Sequence, residues 1–187
     1  MFTHKKKSYY GKGFTLLELM ITVVIAGILA SMAVPSFSQA IQNNRMSTQI
    51  NELLATLNYA RSEAIKRNIN VSVCKSNNGT TCGVVNWKDG WLVFVDTDAD
   101  GVVDGEDVLR VHKGLSGGNS MAYSVTNTSD TFVSYESSGE VEGFTPPSKG
   151  IFTLCDSRGD GEKKGIEISS TGRGRVVPHT NSDLASC

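Results

Sequence analysis

Six acidic residues and no basic residue fall within the segment DTDADGVVDGED, residues 96–107. Acids at alternate positions, then a glycine and two later acids, match the spacing of a calcium loop, whose hard oxygen ligands surround the ion. Strand-like WLVFV and VLRV flank the segment in place of two helices, so an acidic β-hairpin turn without metal is the alternative. Calcium is the one cofactor that the sequence indicates, with the candidate ligands Asp96, Asp98, Asp100, Asp104 and Asp107.

A second group of charged residues lies in TGRGRVV, residues 171–177. Arg173 and Arg175 are two residues apart, so in an extended chain they project to one side, about 6.6 Å from each other. That spacing suits successive phosphates of one nucleic-acid strand, and guanidinium groups bind phosphate oxygens bidentately. A solvated turn with two arginines is the alternative. The candidate DNA-binding residues are Gly172, Arg173, Gly174 and Arg175, with Lys163 and Lys164 widening the patch.

Catalysis and general polyanion binding are both disfavoured by the sequence. It contains no GxSxG, HExxH or Walker pattern, so we expect no enzyme. The formal net charge is −1, and loss of the lysines at positions 5, 6, 7 and 12 would leave −5. Any contact with nucleic acid must therefore be local.

Four cysteines, an even number, stand at positions 74, 82, 155 and 187. An even number of cysteines in an exported chain favours disulfides over a zinc site. The N-terminal segment described next indicates export. Because Cys74 and Cys82 flank the turn-rich KSNNGTT, we predict the pairs Cys74–Cys82 and Cys155–Cys187. Four free buried thiols are the alternative.

An apolar run near the N-terminus is long enough to cross a membrane. Phe14 to Val34 is 21 residues with Glu18 as its one charged residue, and about 20 apolar residues span a hydrocarbon core as a helix. The basic flank at positions 5–7 and 12 should keep this end cytoplasmic while the rest of the chain is translocated. The sequence predicts a single-pass membrane segment.

Glu18 is an unusual residue for such a segment, since a carboxylate at the centre of a membrane helix costs about 2.5–3.5 kcal/mol. If the chain were cut after Gly13, Phe14 would gain a free ammonium. The ammonium of a neighbouring copy could then neutralise Glu18, which would make it an assembly residue. A Glu side chain that snorkels from a plain signal anchor is the alternative.

The remainder of the chain predicts an α+β fold. Apolar positions continue at helical spacing from Met46 to Ile65, and the helix is expected to end near residues 68–70. Seven short β-rich runs separated by turn residues then follow: INVSVCK, DGWLVFVD, DVLRVHK, FVSYES, GIFTLCD, GIEISS and GRVVPH. Trp91 and Phe94 stand among Val and Leu, which favours core packing over stacking on bases.

The segment GFTLLELMITVVIAGILASMAVP, residues 13–35, resembles the type IV prepilin motif. The resemblance places Gly13 before the cut, Phe14 as the first mature residue, Glu18 as the assembly residue and Pro35 as a helix kink. It implies that a prepilin peptidase cleaves after Gly13 and N-methylates Phe14. It also implies a helix that waits in the inner membrane and is then pulled into a filament.

The later motifs RSEAIKRN, GWLVFVD and GIEISSTGR are similar to those of the FimT/GspH group of minor pilins and pseudopilins. This resemblance implies a type IV pilin fold, in which a long N-terminal helix packs on antiparallel β-sheets. Within the group, GRGR at 172–175 is similar to the GRxR motif of FimT minor pilins, which take up DNA in natural transformation. A minor pilin that primes pilus assembly, or a pseudopilin of type II secretion, is the alternative.

These expectations divide the chain into a prepilin leader (1–13), a transmembrane and assembly helix (14–41) and a globular α+β head (42–187). The expected partners are major and minor pilins, the prepilin peptidase, the inner membrane, and double-stranded DNA bound without sequence preference. The head is expected in the periplasm before assembly, and then at the pilus tip on the cell surface.

Overall fold

The computed structural model describes residues 13–125 and 131–187. The leader predicted for residues 1–13 therefore lies outside the described residues, except for Gly13, and so do the lysines at positions 5, 6, 7 and 12. The chain divides into two compact units, Met1–Ile41 and Gln42–Cys187.

In the first unit, all the described residues from 13 to 41 are exposed. They include the beginning of helix α1 (Leu16–Arg67), which by length and composition is apolar enough to cross a membrane. Pro35 lies inside this helix. Because proline has no backbone N–H, the carbonyl of Ser31 lacks its usual helical donor.

In the second unit, α1 buries one stripe of side chains and exposes the opposite face. The buried positions follow helical spacing, as the sequence predicted, and the apolar ones are Met46, Ile50, Leu53, Leu57, Ala60 and Ala64. Leu54 is half-buried and Ile65 is 49% exposed, so the buried stripe is narrower than the apolar pattern.

Helix α1 ends at Arg67, close to the predicted end, because Asn68 adopts a left-handed conformation with φ 57°. Asparagine tolerates this conformation better than most residues. Lys66 and Arg67 both form ion pairs with Glu63, at 3.5 and 2.6 Å. Their positive charges lie in the last turn, where the helix dipole favours them.

Within the described residues, eight strands form two antiparallel sheets, which confirms the α+β fold class. The first sheet has the order β3-β2-β1-β5, with β1 Val71–Lys75, β2 Gly90–Val95, β3 Val108–Lys113 and β5 Phe132–Tyr135. The second sheet has the order β4-β6-β7-β8, with β4 Ser120–Val125, β6 Lys149–Cys155, β7 Lys164–Ser169 and β8 Gly174–Val177.

Both sheets and the α1 stripe contribute to one hydrophobic core. Trp91 from β2 is fully buried, and its Nε1 donates a 3.4 Å hydrogen bond to Thr56 Oγ1 of α1. Phe94 is also fully buried and packs in a smaller cluster with Cys74 and Leu92. The predicted core packing of Trp91 and Phe94 is therefore confirmed, and neither ring is available to stack on a base.

Strand β4 is the one strand without a counterpart among the β-rich runs of the sequence. Its sequence SMAYSV buries alternate residues, Met121 and Tyr123. Ser and Ala occupy other positions, and both have weaker strand preference than the β-branched residues of the other runs. The strand forms because β6 pairs with it over its whole length, which is a tertiary effect.

The structure contains the disulfides Cys74–Cys82 and Cys155–Cys187, the pairing favoured from the sequence. The first joins the end of β1 to the loop that follows it, and the second joins the end of β6 to the C-terminus. By the chain-entropy relation the second bond contributes more, about 3.7 against about 2.6 kcal/mol, because it closes the longer loop.

Arg158 connects the loop after β6 to α1. Its Nη2 lies 2.5 Å from Asp156 Oδ2, and its Nη1 donates a 2.7 Å hydrogen bond to Asn43 Oδ1. The side chains of Arg158 and Asp156 are 19% and 4% exposed, so little water competes for the pair. The Arg158 hydrogen bond is the main reason that the pKa of Asp156 lies below its ordinary value.

We expect Arg158→Gln to lower the free energy of unfolding of residues 42–187 by about 2–3 kcal/mol at pH 7, because it leaves a buried carboxylate unpaired. Arg175→Gln is the matched control: Arg175 is 68% exposed, and its partner Glu167 keeps Lys149 Nζ at 3.8 Å, so the loss of Arg175 should cost about 1 kcal/mol or less. Urea unfolding measures both.

The loss of stability in Arg158→Gln should depend on pH. Because the pKa of Asp156 is lowered in the folded state, the pair stabilises the protein above the unfolded-state value, about 3.9. This stabilisation is lost as the pH falls through the lower folded-state pKa. The difference between wild type and Arg158→Gln should therefore shrink below about pH 4, and a constant difference down to about pH 2 would contradict the assignment.

Candidate functional site

The predicted processing and assembly residues lie at the start of α1. Gly13 and Phe14 precede the helix and are exposed, Phe14 by 80%. Glu18 Oε2 accepts hydrogen bonds from the Thr15 N–H (3.0 Å) and the Thr15 hydroxyl (2.9 Å). In return the Thr15 hydroxyl accepts from the Glu18 N–H at 3.2 Å.

This reciprocal pattern is a capping box with Thr15 as the N-cap. Sequence reasoning overlooked it, although the T-x-x-E spacing at the start of the apolar run is its usual signal. The Glu18 carboxylate thus closes the first turn of its own helix.

The GRGR segment begins at the turn between β7 and β8. Ser169 and Arg173 close the turn, since the Ser169 N–H donates to the Arg173 carbonyl at 3.1 Å. Gly172 has φ 74° and donates its N–H to the Ser169 carbonyl at 2.9 Å. A three-residue hairpin loop of this kind needs a left-handed residue at its last position, and glycine meets that need without strain.

Gly172 is also buried against a neighbouring loop. A Cβ atom at this position would collide with the Gly139 carbonyl oxygen and lie 3.0 Å from Arg61 Nε. Arg61 Nε in turn donates a 2.8 Å hydrogen bond to that carbonyl. Arg61, from α1, is therefore a third arginine beside the turn. Sequence reasoning missed it because more than a hundred residues separate it from Gly172.

The two predicted arginines differ in their surroundings. Arg173 is exposed, and its guanidinium has no hydrogen-bond or ion-pair partner among residues 13–125 and 131–187. Arg175 is 68% exposed and pairs with Glu167 directly across from it on β7, with Nη2 and Nε at 3.0 and 3.1 Å from Oε1. Gly174 packs toward the helix, because a Cβ there would lie 2.8 Å from Leu54 Cδ1.

The two predicted lysines are bound within the head. Lys163 is 12% exposed at its side chain and donates to Asp160 Oδ1 at 3.1 Å and to the Ala185 carbonyl at 3.2 Å. Lys164 donates a 2.6 Å hydrogen bond to Ser47 Oγ of α1. Neither lysine adds a free charge to the arginine turn.

The acidic loop joins β2 to β3. Asp96 is fully buried, and its Oδ2 accepts a 3.2 Å hydrogen bond from the Gly101 N–H. Burial raises the pKa of Asp96, and the nearby Glu106 and Asp100 carboxylates raise it further. The Gly101 N–H and the Ser72 hydroxyl act in the opposite direction and lower the pKa of Asp96. The Ser72 hydroxyl lies near the Asp96 carboxylate but outside hydrogen-bond geometry.

The structure brings four of the five predicted calcium ligands together, in two overlapping groups. Asp96, Asp98 and Glu106 form one group, and Asp98, Asp100 and Asp104 form the other, with carboxylate oxygens within 4.8 Å inside each group. Asp107 belongs to neither group. Its carbonyl accepts from the Val95 N–H at 3.0 Å, which continues the pairing of β2 with β3, and Glu106 takes its place beside Asp96.

The family to which the chain belongs follows from its sequence match. The family model described as "Type II transport protein GspH" matches residues 49–172, which is more than half of the chain. The chain belongs to the GspH family. A second model, the prokaryotic N-terminal methylation motif, matches residues 10–34 of this GspH-family chain. The predicted resemblances to the GspH group and to the N-terminal methylation motif are thereby confirmed. The finer resemblance of GRGR to FimT stays a prediction, because the family match ends at Gly172, before Arg173 and Arg175.

Solved structures share the fold. The type IV minor pilin FimU of Pseudomonas aeruginosa aligns with a TM-score of 0.57 at 24% identity, over 75% of this chain and 93% of FimU. The minor pseudopilin EpsH of the Vibrio cholerae type II secretion system aligns with a TM-score of 0.52 at 13% identity, over 75% of this chain and 99% of EpsH. At these identities the similarity concerns the fold.

Curated relatives match this GspH-family chain over shorter stretches. Fimbrial protein Q of Moraxella bovis is 46% identical over 44 residues, 24% of this chain and 28% of the relative. A fimbrial protein of Neisseria meningitidis is 36% identical over 78 residues, 42% of this chain and 43% of the relative. The chain thus spans less than half of these relatives. The family match and the shared fold together identify a GspH-family chain with a pilin-like fold.

We expect Gly172→Ala to lower the free energy of unfolding by about 2 kcal/mol or more, because a left-handed alanine costs about 1–2 kcal/mol and its Cβ meets the Gly139 carbonyl. Gly118 has a similar φ of 72° with open space around it. Gly118→Ala should therefore cost only about 1 kcal/mol. Urea unfolding compares the two, and equal losses would show that the contact with Gly139 does not matter.

Proposed function

We propose that this chain is a minor type IV pilin whose head binds the DNA backbone through the β7–β8 turn, for DNA uptake in natural transformation. The observation that carries the proposal is the exposure of Arg173 without a partner in the described chain, two residues from the largely exposed Arg175.

Binding of this kind depends on phosphates and not on bases. Arg173 and Arg175 can each bind a phosphate through a planar fork of donors, while Gly172 and Gly174 let the turn pack closely on the Gly139 loop and on Leu54 of α1. Arg61 adds positive charge beside the turn. The head as a whole carries a negative charge, concentrated in residues 96–107, so the contact is confined to this turn. Two phosphate contacts give weak, sequence-independent and salt-sensitive binding.

A purely structural subunit, which primes pilus assembly or serves type II secretion, is the second candidate. Its support is the internal engagement of nearby charges: Glu167 already binds Arg175, and Lys163 and Lys164 bond within the head. In that function Arg173 would be a solvated turn residue. The two candidates differ in whether the head retains DNA.

A gel-shift or anisotropy titration of residues 42–187 with duplex DNA tests the difference. Arg173→Gln should weaken binding about tenfold at 50 mM salt and reduce the slope of log K against log salt by about 0.9, the effect of one lost phosphate contact. Glu167→Gln should tighten binding, because it frees the Arg175 guanidinium.

Arg110→Gln is the matched control, since it removes an arginine of β3 that lies over the Tyr59 ring, outside the proposed site. It should leave the salt slope unchanged. If Arg173→Gln and Arg175→Gln together bind duplex as well as wild type, the DNA proposal is wrong and the structural subunit remains.

The N-terminal segment supports a proposal about assembly. The leader is cleaved after Gly13, Phe14 is N-methylated by the prepilin peptidase, and the helix rests in the inner membrane with its head in the periplasm. During assembly Glu18 exchanges its Thr15 hydrogen bonds for the Phe14 ammonium of a neighbouring pilin. The head then reaches the pilus tip on the cell surface.

Two variants separate the capping role of Glu18 from its charge. Glu18→Gln keeps the capping box, because glutamine serves at that position as glutamate does, but it cannot neutralise an ammonium. We expect it to be processed normally and to be absent from sheared pili. Thr15→Ala removes the cap and keeps the charge, so it should still assemble. Immunoblots of pilus fractions measure incorporation.

Mass spectrometry of the same proteins tests processing. The expected mature chain begins at Phe14 and carries one additional methyl group. A chain that keeps residues 1–13 in its host would contradict the assembly proposal, and so would incorporation of Glu18→Gln at the wild-type level.

A further inference from the structure

The loop between β2 and β3 contains three carboxylates that lack a positive partner. Asp96, Asp98 and Glu106 place carboxylate oxygens within 4.8 Å of one another. None of the three forms an ion pair with a residue in the described parts of the chain, and residues 96–107 include no base. Like charges at this separation repel strongly, and more strongly where water is excluded.

Two of these carboxylates have a buried oxygen that lacks a donor or a cationic side chain within the described part of the chain. Asp96 is 0% exposed, and its Oδ1 has no donor in hydrogen-bond geometry among residues 13–125 and 131–187, since the nearby Ser72 hydroxyl lies outside that geometry. Glu106 Oε2 is likewise buried without a donor there, while Glu106 Oε1 accepts from the Thr97 N–H at 2.8 Å. A buried carboxylate oxygen normally has a donor or a cation. Two such oxygens in one group of acids indicate a bound cation.

The loop is anchored in a way that suits a binding site. Gly101 has φ 75° and packs against the Phe132 ring, where a Cβ atom would collide. Val103 packs on the small cluster of Cys74, Leu92 and Phe94. The disulfide Cys74–Cys82 connects to the same cluster. These contacts hold the carboxylates together before any ion binds, which reduces the entropy cost of binding.

We propose that this loop binds one calcium ion through the carboxylates of Asp96, Asp98 and Glu106. The donors are all hard oxygens on an irregular loop, which suits calcium better than zinc or the strictly octahedral magnesium. Backbone carbonyls and water complete the six to eight ligands that calcium takes. Asp100 and Asp104, which are exposed and lie near Asp98, add negative potential at the entrance.

The site differs from an EF-hand, although the sequence has that spacing. Two strands flank the loop, and the strand pairing of Val95 with Asp107 moves the twelfth position away from the acids. Glu106 supplies the ligand in its place. The site is independent of the arginine turn, so DNA binding and calcium binding can succeed or fail separately.

Calorimetric titration of the full chain in nonionic detergent, after chelator treatment, tests the proposal. We expect one calcium per chain with a Kd of about 10⁻⁴–10⁻³ M, as in extracellular modules. Calcium at about 25 times Kd should raise Tm by about 5 °C. Magnesium at the same concentration should raise it by less. An absence of heat and of a Tm shift up to 10 mM calcium, roughly ten times the weakest expected Kd, would overturn the proposal.

Matched variants identify the ligands. Asp98→Asn and Glu106→Gln keep the side-chain shapes and remove one charge each, and both should weaken calcium binding at least tenfold. Asp107→Asn removes one charge from the same loop outside the group, so it should change Kd by less than twofold. If Asp107→Asn weakens binding as much as Glu106→Gln, the assigned ligand set is wrong. Circular dichroism without calcium checks that each variant folds.

Discussion

The packing of one stripe of α1 against two sheets is the interaction on which the rest of the head depends. Met46, Leu53 and Leu57 from this stripe are almost completely buried, and the same core takes in residues of β1, β2, β4, β6 and β7. Each sheet has only four strands and would bury little apolar surface alone. The helix supplies the shared surface, so the loops that carry charge are attached to a fixed core.

The same helix meets different demands in its two parts. In the first unit its residues are apolar on all sides, which suits lipid or neighbouring helices more than water. In the second unit one face is apolar and the other is polar, which suits a head in water. In the capping box, the Glu18 carboxylate accepts hydrogen bonds from the Thr15 N–H and hydroxyl at the helix start. The carboxylate therefore has hydrogen-bond partners within a single subunit. Its stabilisation by about 1 kcal/mol is small enough to be exchanged for an ion pair.

Local patterns in the sequence were sufficient for most of the fold. The helical stripe, the helix end near Asn68, seven of the eight strands and the burial of Trp91 follow from periodicity and residue type. Strand β4 does not, because β6 imposes it. The sites were harder to predict. Tertiary packing places Arg61 beside Gly172, and strand register places Glu106 beside Asp96. A linear sequence motif gives no information about packing or register.

Exposure, and not the number of cations nearby, determines which arginines can bind a ligand. Arg158 and Asp156 are both largely buried, so exchange of partners there would leave a carboxylate without compensation. Arg175 is 68% exposed, and its partner Glu167, although only 15% exposed, also lies 3.8 Å from Lys149 Nζ and keeps that cation if Arg175 turns away. A phosphate can therefore replace Glu167 at little cost, and until then the carboxylate holds the guanidinium in position on the strand. The pairing of Arg175 is thus compatible with anion binding at the turn, whereas the pairing of Arg158 serves the stability of the head.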